Sequence, residues 1–347
     1  MKQFPRILYV ETRDADDLVG SKDFLSYCLE VLIKDPKVSF VQTIKQCKVR
    51  EGDPFCNQES IFYQRVMPAR HASNAVFPCG SGLVWRISEL KRINGFPSWN
   101  LVEDLQSGYE ILRRGGAGAF LPIIGTIGQV APEDIPNFYK QRGTWALDTL
   151  RLLYYKNPLF TRGLSIWQKL QFLELEFSYI LSFAMAIFIF NLSLSLAFGI
   201  YPIISSSENV LLHFILFAAS LEIFNIARAR GISYKEQWRT RQIWLGLMSV
   251  FMIAAFRALK HGPRRKPIYR VTRKFHQFAW YWKETLIQKL VVAILFVSIG
   301  MNLVLKTSDP LVSAGAIFWA LFFIYSFSQV IKNSWHGISF NKEKVTV

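Results

Sequence analysis

Cysteine and acidic residues are the two scarce residue classes in this 347-residue sequence. Its four cysteines form no CxxC pair and no zinc-ligand spacing, which argues against a zinc ribbon. They lie in the first hundred residues, which are otherwise polar and expected to be cytosolic, so we expect reduced thiols. There are 25 Asp and Glu residues against 41 Lys and Arg residues, a formal net charge of +16. No nucleic-acid-binding motif accompanies this charge, so nucleic acid is not an expected partner. The N-terminal MKQFPRILYV turns polar too soon for a signal peptide.

The positive charge is concentrated in one block of the chain. From Arg228 to Glu284 there are fourteen Lys or Arg residues and two Glu residues, and apolar segments flank this block. That distribution is the positive-inside pattern of a cytoplasmic loop. Hydrophobic residues make up 51% of the chain and aromatic residues 15%, which is high for a water-soluble protein. The composition therefore predicts a membrane-embedded part.

Residues 1–160 have the pattern of a water-soluble α/β unit. RILYV and VSFVQT are short β-branched or aromatic runs, typical of strands. Between them, SKDFLSYCLEVLIKD has helical periodicity, with Ser21 as a candidate N-cap. The apolar face of this helix comprises Phe24, Cys28, Val31 and Leu32. The alternation predicts a parallel or mixed sheet covered by helices.

Residues 161–347 have the pattern of a membrane region. Four runs approach or exceed the ~20 residues needed to cross a bilayer; they cover about 177–204, 209–228, 286–305 and 311–331. The first run is predicted as one tilted helix or a bent pair. We interpret the segment at about 235–260, which has Arg on both flanks of a short apolar core, as a helix in the cytoplasmic interface. A fifth span is the alternative for that segment.

An adjacent carboxylate pair, Glu103-Asp104, lies in SWNLVEDLQSGYEILRRGG at the start of a predicted amphipathic helix. Apolar residues recur there at spacings of three and four, and Gly115-Gly116 ends the pattern. Helix capping is the ordinary explanation for acids at this position, because Asp accepts hydrogen bonds from free backbone N–H groups. A catalytic carboxylate is the alternative.

Other segments carry candidate chemistry. Asp14-Ala15-Asp16 follows the first strand-like run, and two such carboxylates can hold Mg²⁺ or Mn²⁺, although Asp-rich turns are common. Trp145 offers a flat apolar face either to a sugar or to a protein core. The loop 77–82 is a close-approach site for a ligand or a plain turn. In 269–274, Thr, Arg and Lys side chains can neutralise a diphosphate or lipid headgroups.

Taken in order, these segments resemble the cellulose-synthase-type glycosyltransferases of family 2. DAD at 14–16 resembles the metal-binding DxD, and VQT at 41–43 and DPF at 53–55 match landmarks after it. NAVFPCGS at 74–81 resembles the acceptor-side FFCGS loop, and VED at 102–104 stands where the family has TED. QRGTW at 141–145 resembles QxxRW, with Thr144 in place of an Arg that contacts the diphosphate. YRVTRK at 269–274 resembles the gating-loop FxVTxK, which places a gating-like loop at 262–285.

The resemblance implies a partial GT-A domain with a mixed sheet, followed by transmembrane helices, and a role for each site residue. Asp104 would be the general base, with Glu103 orienting its neighbours, and Asp14 and Asp16 would hold Mg²⁺ or Mn²⁺. The diphosphate-binding residues would be Arg142, Thr272, Arg273 and Lys274. The acceptor-binding residues would be Trp145, Gln141, Phe77, Cys79, Gly80 and Ser81.

The activity implied is inverting transfer of a sugar from a nucleotide-sugar to a growing polysaccharide that passes through the membrane. UDP-glucose is the favoured donor, with N-acetylglucosamine, mannose or a hyaluronan-like alternation left open. The resemblance places the protein in the inner or plasma membrane with a cytoplasmic catalytic domain. Since the sequence starts just before DxD, we expect a missing N-terminal half or an accessory subunit. An inactive half acting as a scaffold is the alternative, and a solute transporter fits poorly.

Overall fold

The computed structural model of the chain describes residues 7–201, 207–265, 268, 272–273, 277 and 279–335. Its N-terminal part is built on a five-stranded sheet. The strands are β1 (Tyr9–Thr12), β2 (Leu18–Val19), β3 (Val38–Lys48), β4 (Leu83–Arg86) and β5 (Ala117–Val130). β1 begins at Tyr9, near the end of the run RILYV, and β3 begins with the run VSFVQT at Val38.

The sheet is mixed, with strand order β1-β4-β3-β5-β2. β3 and β5 run parallel, β4 lies antiparallel between β1 and β3, and β2 pairs antiparallel with the outer edge of β5. The first six residues of β3 are buried, because neighbouring strands flank both edges and helical segments cover both faces of this strand. The predicted class, an α/β unit with a mixed sheet, is confirmed.

Four helices and one π-helical turn, Phe62–Val66, pack around this sheet. They are α1 (Phe24–Lys34), α2 (Met67–Ala72), α3 (Ile87–Arg92) and α4 (Glu103–Leu112). The predicted apolar face of α1 buries Phe24, Cys28 and Leu32. Ser21 is not its N-cap: the cap position is Asp23, and Ser21 Oγ accepts a hydrogen bond from the Asp23 N–H at 3.3 Å. Ser21, the predicted N-cap, therefore lies in a turn before the helix.

The C-terminal part is helical throughout its described length, apart from connecting loops. Its helices are α5 (Ile135–Tyr155), α6 (Ile166–Phe198), α7 (Ser207–Arg228), α8 (Tyr234–Gly246), α9 (Met248–His261), α10 (Leu286–Leu305) and α11 (Pro310–Lys332). Within the described residues, three of them are long and apolar enough to cross a membrane: α6, α10 and α11. α7 occupies the second predicted span without being one of these three.

α8 and α9 are joined by a bend of 49° and together qualify as a broken span or a re-entrant loop. They occupy the segment interpreted from sequence as an interfacial helix at about 235–260. Length and composition do not fix the position of a helix in a bilayer. The predicted spans, the interfacial helix and the division into 1–160 and 161–347 therefore stay predictions.

α6 begins at Ile166, well before the first predicted span. A capping box formed by Ser165 and Gln168 starts the helix, and Glu174 forms an ion pair with Arg70 of α2 at 3.0 Å. The first turns of α6 thus belong to the α/β unit, and only the later turns carry the uncharged apolar run. This shared helix joins the two parts of the chain.

α5 is the second connection between the two parts. On one side its residues Ala146, Leu147 and Leu150 share a buried core with Phe251 and Ala254 of α9. Its other side faces the cavity described next. α5 therefore holds the cavity at a fixed position against the apolar helices.

Candidate active site

A cavity of about 230 Å³ lies where the α/β unit meets the helical part. Seven elements contribute to its wall, from β3 to α8, and the π-helical turn Phe62–Val66 is one of them. The lining includes Lys45 and Cys47 from β3, Asp104 and Leu105 from α4, Gln141, Arg142 and Trp145 from α5, Leu175 and Tyr179 from α6, and Trp244 from α8. Gln129 near the end of β5 and Phe77 and Cys79 from the loop before β4 complete these walls.

Asp104 is one of the lining residues and lies at the N-terminus of α4. The N-cap position is Val102, which makes no side-chain cap, and Asp104 Oδ1 accepts a hydrogen bond from the Leu105 N–H at 2.7 Å. The carboxylate thus satisfies one backbone donor, as the capping explanation expects, and also faces the cavity. Its orientation follows from the helix, since Leu105, Tyr109 and Leu112 bury the predicted apolar face of α4.

The electrostatic surroundings of Asp104 favour its neutral form. Burial, and secondly the charge of Glu103, raise the pKa of Asp104 to about 7, against the lowering effect of backbone hydrogen bonds. Glu103 itself is exposed at the first position of α4. A carboxyl group with a pKa near neutrality can accept a proton and release it again at physiological pH.

The loop 77–81 lies directly against Asp104. A Cβ placed on Gly80, whose φ is +82°, would lie 3.3 Å from Asp104 Oδ2, so the backbone approaches the carboxylate closely here. Gln42 positions the loop, because its Oε1 accepts from the Cys79 N–H at 2.7 Å and its Nε2 donates to the Ser81 carbonyl at 3.0 Å. Phe77 and Cys79 line the cavity, whereas Gly80 and Ser81 lie behind it.

The Cys79 thiol is a neutral group. Burial, followed by the negative charges of Asp104 and Glu59, raises its pKa well above the ordinary value. A thiolate nucleophile is therefore not available at this position. Cys79 contributes shape to the cavity wall.

Asp14 and Asp16 follow β1 and converge on Gln129. The Gln129 Nε2 amide donates to Asp14 Oδ2 and to Asp16 Oδ1, both at 3.1 Å. Within the part of the chain that the structure describes, no three His, Cys, Asp or Glu side chains form a group that could hold a metal ion. Two convergent carboxylates nevertheless fit Mg²⁺ or Mn²⁺, because substrate phosphates and water complete the coordination of such ions.

Two further residues surround these carboxylates, and neither was predicted from the sequence. The Lys45 ammonium forms ion pairs with Asp14 and, at 3.2 Å, with Asp17 Oδ2. Asp17 also accepts from Ser81 Oγ at 2.5 Å, and Ser81 Oγ accepts from the Asp14 N–H at 3.2 Å. Ser81 therefore joins the loop 77–81 to the aspartates. The alternation of side chains along a strand was the available signal for Lys45. Residues two positions apart point to the same face, and Lys45 and Cys47 both line the cavity.

Arg142 lies in the part of the cavity wall that α5 forms. Its side chain is 9% exposed, forms an ion pair with Glu59 at 2.7 Å, and stacks on Phe138 and Trp145 with its guanidinium carbon 5.3 and 4.7 Å from the ring centroids. The Thr144 hydroxyl donates to the Lys140 carbonyl within the helix, at 2.8 Å. Arg142 is thus the cation that this part of α5 presents to the cavity.

The predicted acceptor residues Trp145 and Gln141 line the cavity next to Arg142. Sequence reasoning missed two aromatic neighbours, Tyr179 of α6 and Trp244 of α8, which pack on each other with their ring centroids 6.0 Å apart. Both belong to helices of the C-terminal part, so no local motif marked them as site residues. The aromatic end of the cavity therefore borders the apolar helices.

Thr272 and Arg273, the described residues of the predicted diphosphate-binding set in the loop 269–274, do not line the cavity. Arg273 donates to Asp134 Oδ2 at 2.9 Å, to the Tyr281 hydroxyl at 3.1 Å and, through its backbone, to Asn137 Oδ1 at 3.0 Å. Asp134 is the N-cap of α5. Lys274 lies outside the described residues.

This chain is similar in sequence to proteins of a known family. Residues 9–226 match the family model described as glycosyl transferase family group 2. The chain belongs to this family. Its resemblance to the cellulose synthases is confirmed: it is 30% identical over 206 residues to cellulose synthase 1 of Komagataeibacter xylinus, covering 56% of this chain and 13% of that protein.

A second relative is the UDP-forming cellulose synthase catalytic subunit of Pseudomonas fluorescens strain SBW25, which is 30% identical over 172 residues, or 47% of this chain and 23% of that protein. The chain thus spans between an eighth and a quarter of the length of these relatives. Among solved structures, the mannosyltransferase PcManGT from Pyrobaculum calidifontis, in complex with GDP-Man and Mn²⁺, has a TM-score of 0.48 and 17% identity, over 72% of this chain and 62% of that one.

Proposed function

We propose that this family 2 glycosyltransferase transfers a sugar from a nucleotide-sugar to a growing polysaccharide, with inversion at the anomeric carbon, and passes the product through a membrane. UDP-glucose is the proposed donor. The observation that carries the proposal is that Asp104 shares one cavity with three aromatic residues, Trp145, Tyr179 and Trp244, and with Lys45 and Gln129. Lys45 contacts Asp14, and Gln129 contacts Asp14 and Asp16, although these two aspartates are not lining residues themselves. We call the part of the wall at Lys45 and Gln129 the carboxylate-rich end, and the aromatic part the aromatic end.

The carboxylate-rich end is the proposed donor site. Asp14 and Asp16 would hold Mg²⁺ or Mn²⁺, which when bound supplies positive charge to the departing diphosphate. Arg142, Thr272, Arg273 and Lys274 are the proposed diphosphate ligands. Arg142 supports this assignment by lining the cavity, and Arg273 would reach the cavity only after leaving Asp134, its present partner.

Asp104 is the proposed general base. An acceptor hydroxyl oxygen attacks C1 of the donor sugar, the bond from C1 to the diphosphate oxygen breaks, and Asp104 takes the hydroxyl proton. The attack comes from the face opposite the leaving group, so the configuration at C1 is inverted. The raised pKa of Asp104 supports this role, because a base titrating near the working pH transfers protons most effectively.

The aromatic end is the proposed acceptor site. Trp145, Tyr179 and Trp244 offer flat apolar faces on which the C–H groups of sugar rings can stack, and Gln141 offers an amide for hydrogen bonds to hydroxyls. Phe77, Cys79, Gly80 and Ser81 form the loop that closes this side next to Asp104. Tyr179 and Trp244 belong to the helical part, which supports an acceptor end beside the proposed route into the membrane.

The location proposed is an inner or plasma membrane with the cavity on the cytoplasmic side. The fourteen basic residues between Arg228 and Glu284 support this orientation, because short positively charged loops remain in the cytoplasm. The proposed partners are the nucleotide-sugar donor, the polysaccharide acceptor, the lipid bilayer, and a missing N-terminal half or accessory subunit.

The test uses the full chain in lipid nanodiscs with Mn²⁺ and radiolabelled UDP-glucose, and with UDP-N-acetylglucosamine or GDP-mannose in parallel. Incorporation of label into a polymer, with the anomeric configuration read by NMR, is the expected result for UDP-glucose. The Asp104→Asn variant is the matched control and should form product at least about a hundredfold more slowly. The proposal is overturned if the protein neither transfers nor hydrolyses any of the three donors.

A second candidate function is an inactive half that acts as a scaffold or as one part of a split synthase. The ion pair between Arg142 and Glu59 favours it, because this arginine is committed to a protein carboxylate rather than to a diphosphate. The same assay separates the two functions: a scaffold gives no hydrolysis of nucleotide-sugar at any Mn²⁺ concentration.

A further inference from the structure

Lys45 occupies the place where the sequence predicts a divalent cation to act. Its ammonium contacts Asp14 and lies 3.2 Å from Asp17 Oδ2, and its side chain is 13% exposed. It also forms part of the cavity wall, together with Gln129, whose amide bridges Asp14 and Asp16. A protein cation therefore lies in the cavity wall, in contact with carboxylates that are not lining residues themselves.

The buried carboxylate of Asp17 is stabilised by the positive charge of Lys45 at its present position. The Asp17 side chain has no solvent exposure, and its Oδ1 atom lacks a hydrogen-bond partner. Ser81 Oγ and the Lys45 ammonium contact the other oxygen. A buried carboxylate with an unsatisfied oxygen is costly unless a positive charge remains close. Asp17 thus retains Lys45 at the cavity wall even if Lys45 leaves Asp14.

A divalent cation and Lys45 cannot both contact the same oxygen of Asp14. Like charges at such a separation repel strongly in a partly buried site. Metal binding at Asp14 and Asp16 would therefore release the Lys45 ammonium from Asp14. The flexible four-carbon stem of lysine allows such a movement without moving β3. The ammonium then faces the cavity space in which the diphosphate of a donor lies.

We propose that Lys45 is a diphosphate-binding residue of this chain, which pairs with Asp14 in the free protein and moves onto the diphosphate of the nucleotide-sugar when a divalent cation takes Asp14. This inference rests on the proposed function and adds a ligand and an order of events to it. Asp17 is the positioning residue that keeps Lys45 within reach. Two binding properties follow: Lys45 opposes metal binding in the free protein and favours diphosphate binding once the metal is present.

The test measures binding by the full chain in detergent. Mn²⁺ affinity is read by electron paramagnetic resonance without nucleotide, and UDP affinity is read by calorimetry at saturating Mn²⁺. Lys45→Met should bind Mn²⁺ about tenfold more tightly, because Asp14 is released, and UDP about tenfold more weakly, because one charge-assisted contact is lost. Lys34→Met is the control, since Lys34 pairs with Glu30 on the exposed face of α1, and it should change neither affinity.

Loss of the buried cation leaves Asp17 uncompensated, so a second variant protects the experiment against misfolding. Lys45→Met/Asp17→Asn removes the buried charge pair as a unit, which is less costly than removing one partner. It should give the same two shifts as the single variant. Pyrophosphate with Mn²⁺ serves as a second probe that needs no base recognition.

The outcomes separate the two proposals. If the wild-type protein binds Mn²⁺ and UDP but both variants bind them as the wild type does, the role of Lys45 is overturned and the proposed function stands. If Mn²⁺ binds no more tightly to either variant, the competition for Asp14 is equally refuted. If the wild-type protein binds neither UDP nor pyrophosphate with Mn²⁺, the proposed function falls, and the role of Lys45 falls with it.

Discussion

Arg151 and Asp148 form an ion pair in which both side chains are fully buried, with Arg151 Nη1 2.8 Å from Asp148 Oδ1. Arg151 also donates to the carbonyls of Gly262 and Arg265, in the loop after α9. Asp148 accepts from the Leu101 N–H at 2.6 Å, just before α4. One pair on α5 therefore connects the start of the loop after α9 to the segment that carries Asp104.

Replacing Arg151 with Met should destabilise the protein by about 3–5 kcal/mol, because Asp148 would remain buried without its cation. Thermal unfolding of the purified protein measures the loss. The double variant Arg151→Met/Asp148→Asn should recover part of it, since no charge is then left buried. A melting temperature that is unchanged in the single variant would contradict the structural role of the pair.

Asp104→Asn should lower kcat for sugar transfer by about 10²–10⁴-fold, the usual contribution of a general base. The amide keeps the shape of the side chain and can still accept the Leu105 N–H hydrogen bond, so the melting temperature should stay close to that of the wild type. Glu103→Gln, at the exposed neighbouring position, should retain most of the activity. Wild-type turnover in Asp104→Asn would remove this residue from the chemistry.

The rate of transfer should fall as the pH drops through about 7. The base must be ionised, and burial together with the charge of Glu103 raises the pKa of Asp104 to about 7. Glu103→Gln removes one negative charge, which eases ionisation of Asp104 and moves the acidic limb of the profile to lower pH. A profile of kcat against pH for the two proteins measures the shift. An acidic limb that moves to higher pH, or does not move, would contradict the electrostatic coupling between Glu103 and Asp104.

Trp145→Ala should weaken engagement of the acceptor more than binding of the nucleotide. Trp145 lies at the aromatic end of the cavity, and stacking of a ring on a sugar or base is worth a few kcal/mol at most. The KM for a soluble oligosaccharide acceptor and the Kd for UDP measure the two effects. Trp167→Ala, at an exposed position in the first turn of α6, is the control. A larger effect on UDP than on the acceptor would place Trp145 at the donor end.

Gly108→Ala should destabilise the protein by about 1–3 kcal/mol, as overpacking does. A Cβ at Gly108 of α4 would lie 2.2 Å from Pro78 Cδ, in the loop that borders Asp104. Helix propensity alone would favour the alanine, so the sign of the effect tests the close contact. Gly300→Ala on α10, where a Cβ meets nothing within 4 Å, is the matched control. Thermal unfolding measures both.

Local patterns in the sequence predicted the elements that depend on local periodicity. The apolar spacing before Gly115-Gly116 placed α4 correctly, because its buried face is set by residues three and four apart. The turns of α6 before the predicted span depend on a distant contact that no local pattern shows. Glu174 in these turns pairs with Arg70, 104 residues earlier in the chain.

The cavity itself was harder to predict, because its residues come from distant parts of the chain. The order of the motifs predicted one site for six residues, and all six line the cavity: Asp104, Phe77, Cys79, Gln141, Arg142 and Trp145. Tyr179 and Trp244 carry no motif, since their place depends on how α6 and α8 pack. Lys45 is an ordinary strand residue until the fold brings Asp14 and Asp17 to it.

The continuity of α5 limits how a product could advance. This helix runs unbroken from Ile135 to Tyr155, with Trp145 on the cavity side and Leu150 locked against α9. The distance between this indole and the apolar helices is therefore fixed by one continuous helix. If the proposed function holds, a lengthening saccharide slides past a stationary ring, and any movement that pushes it comes from a segment other than α5.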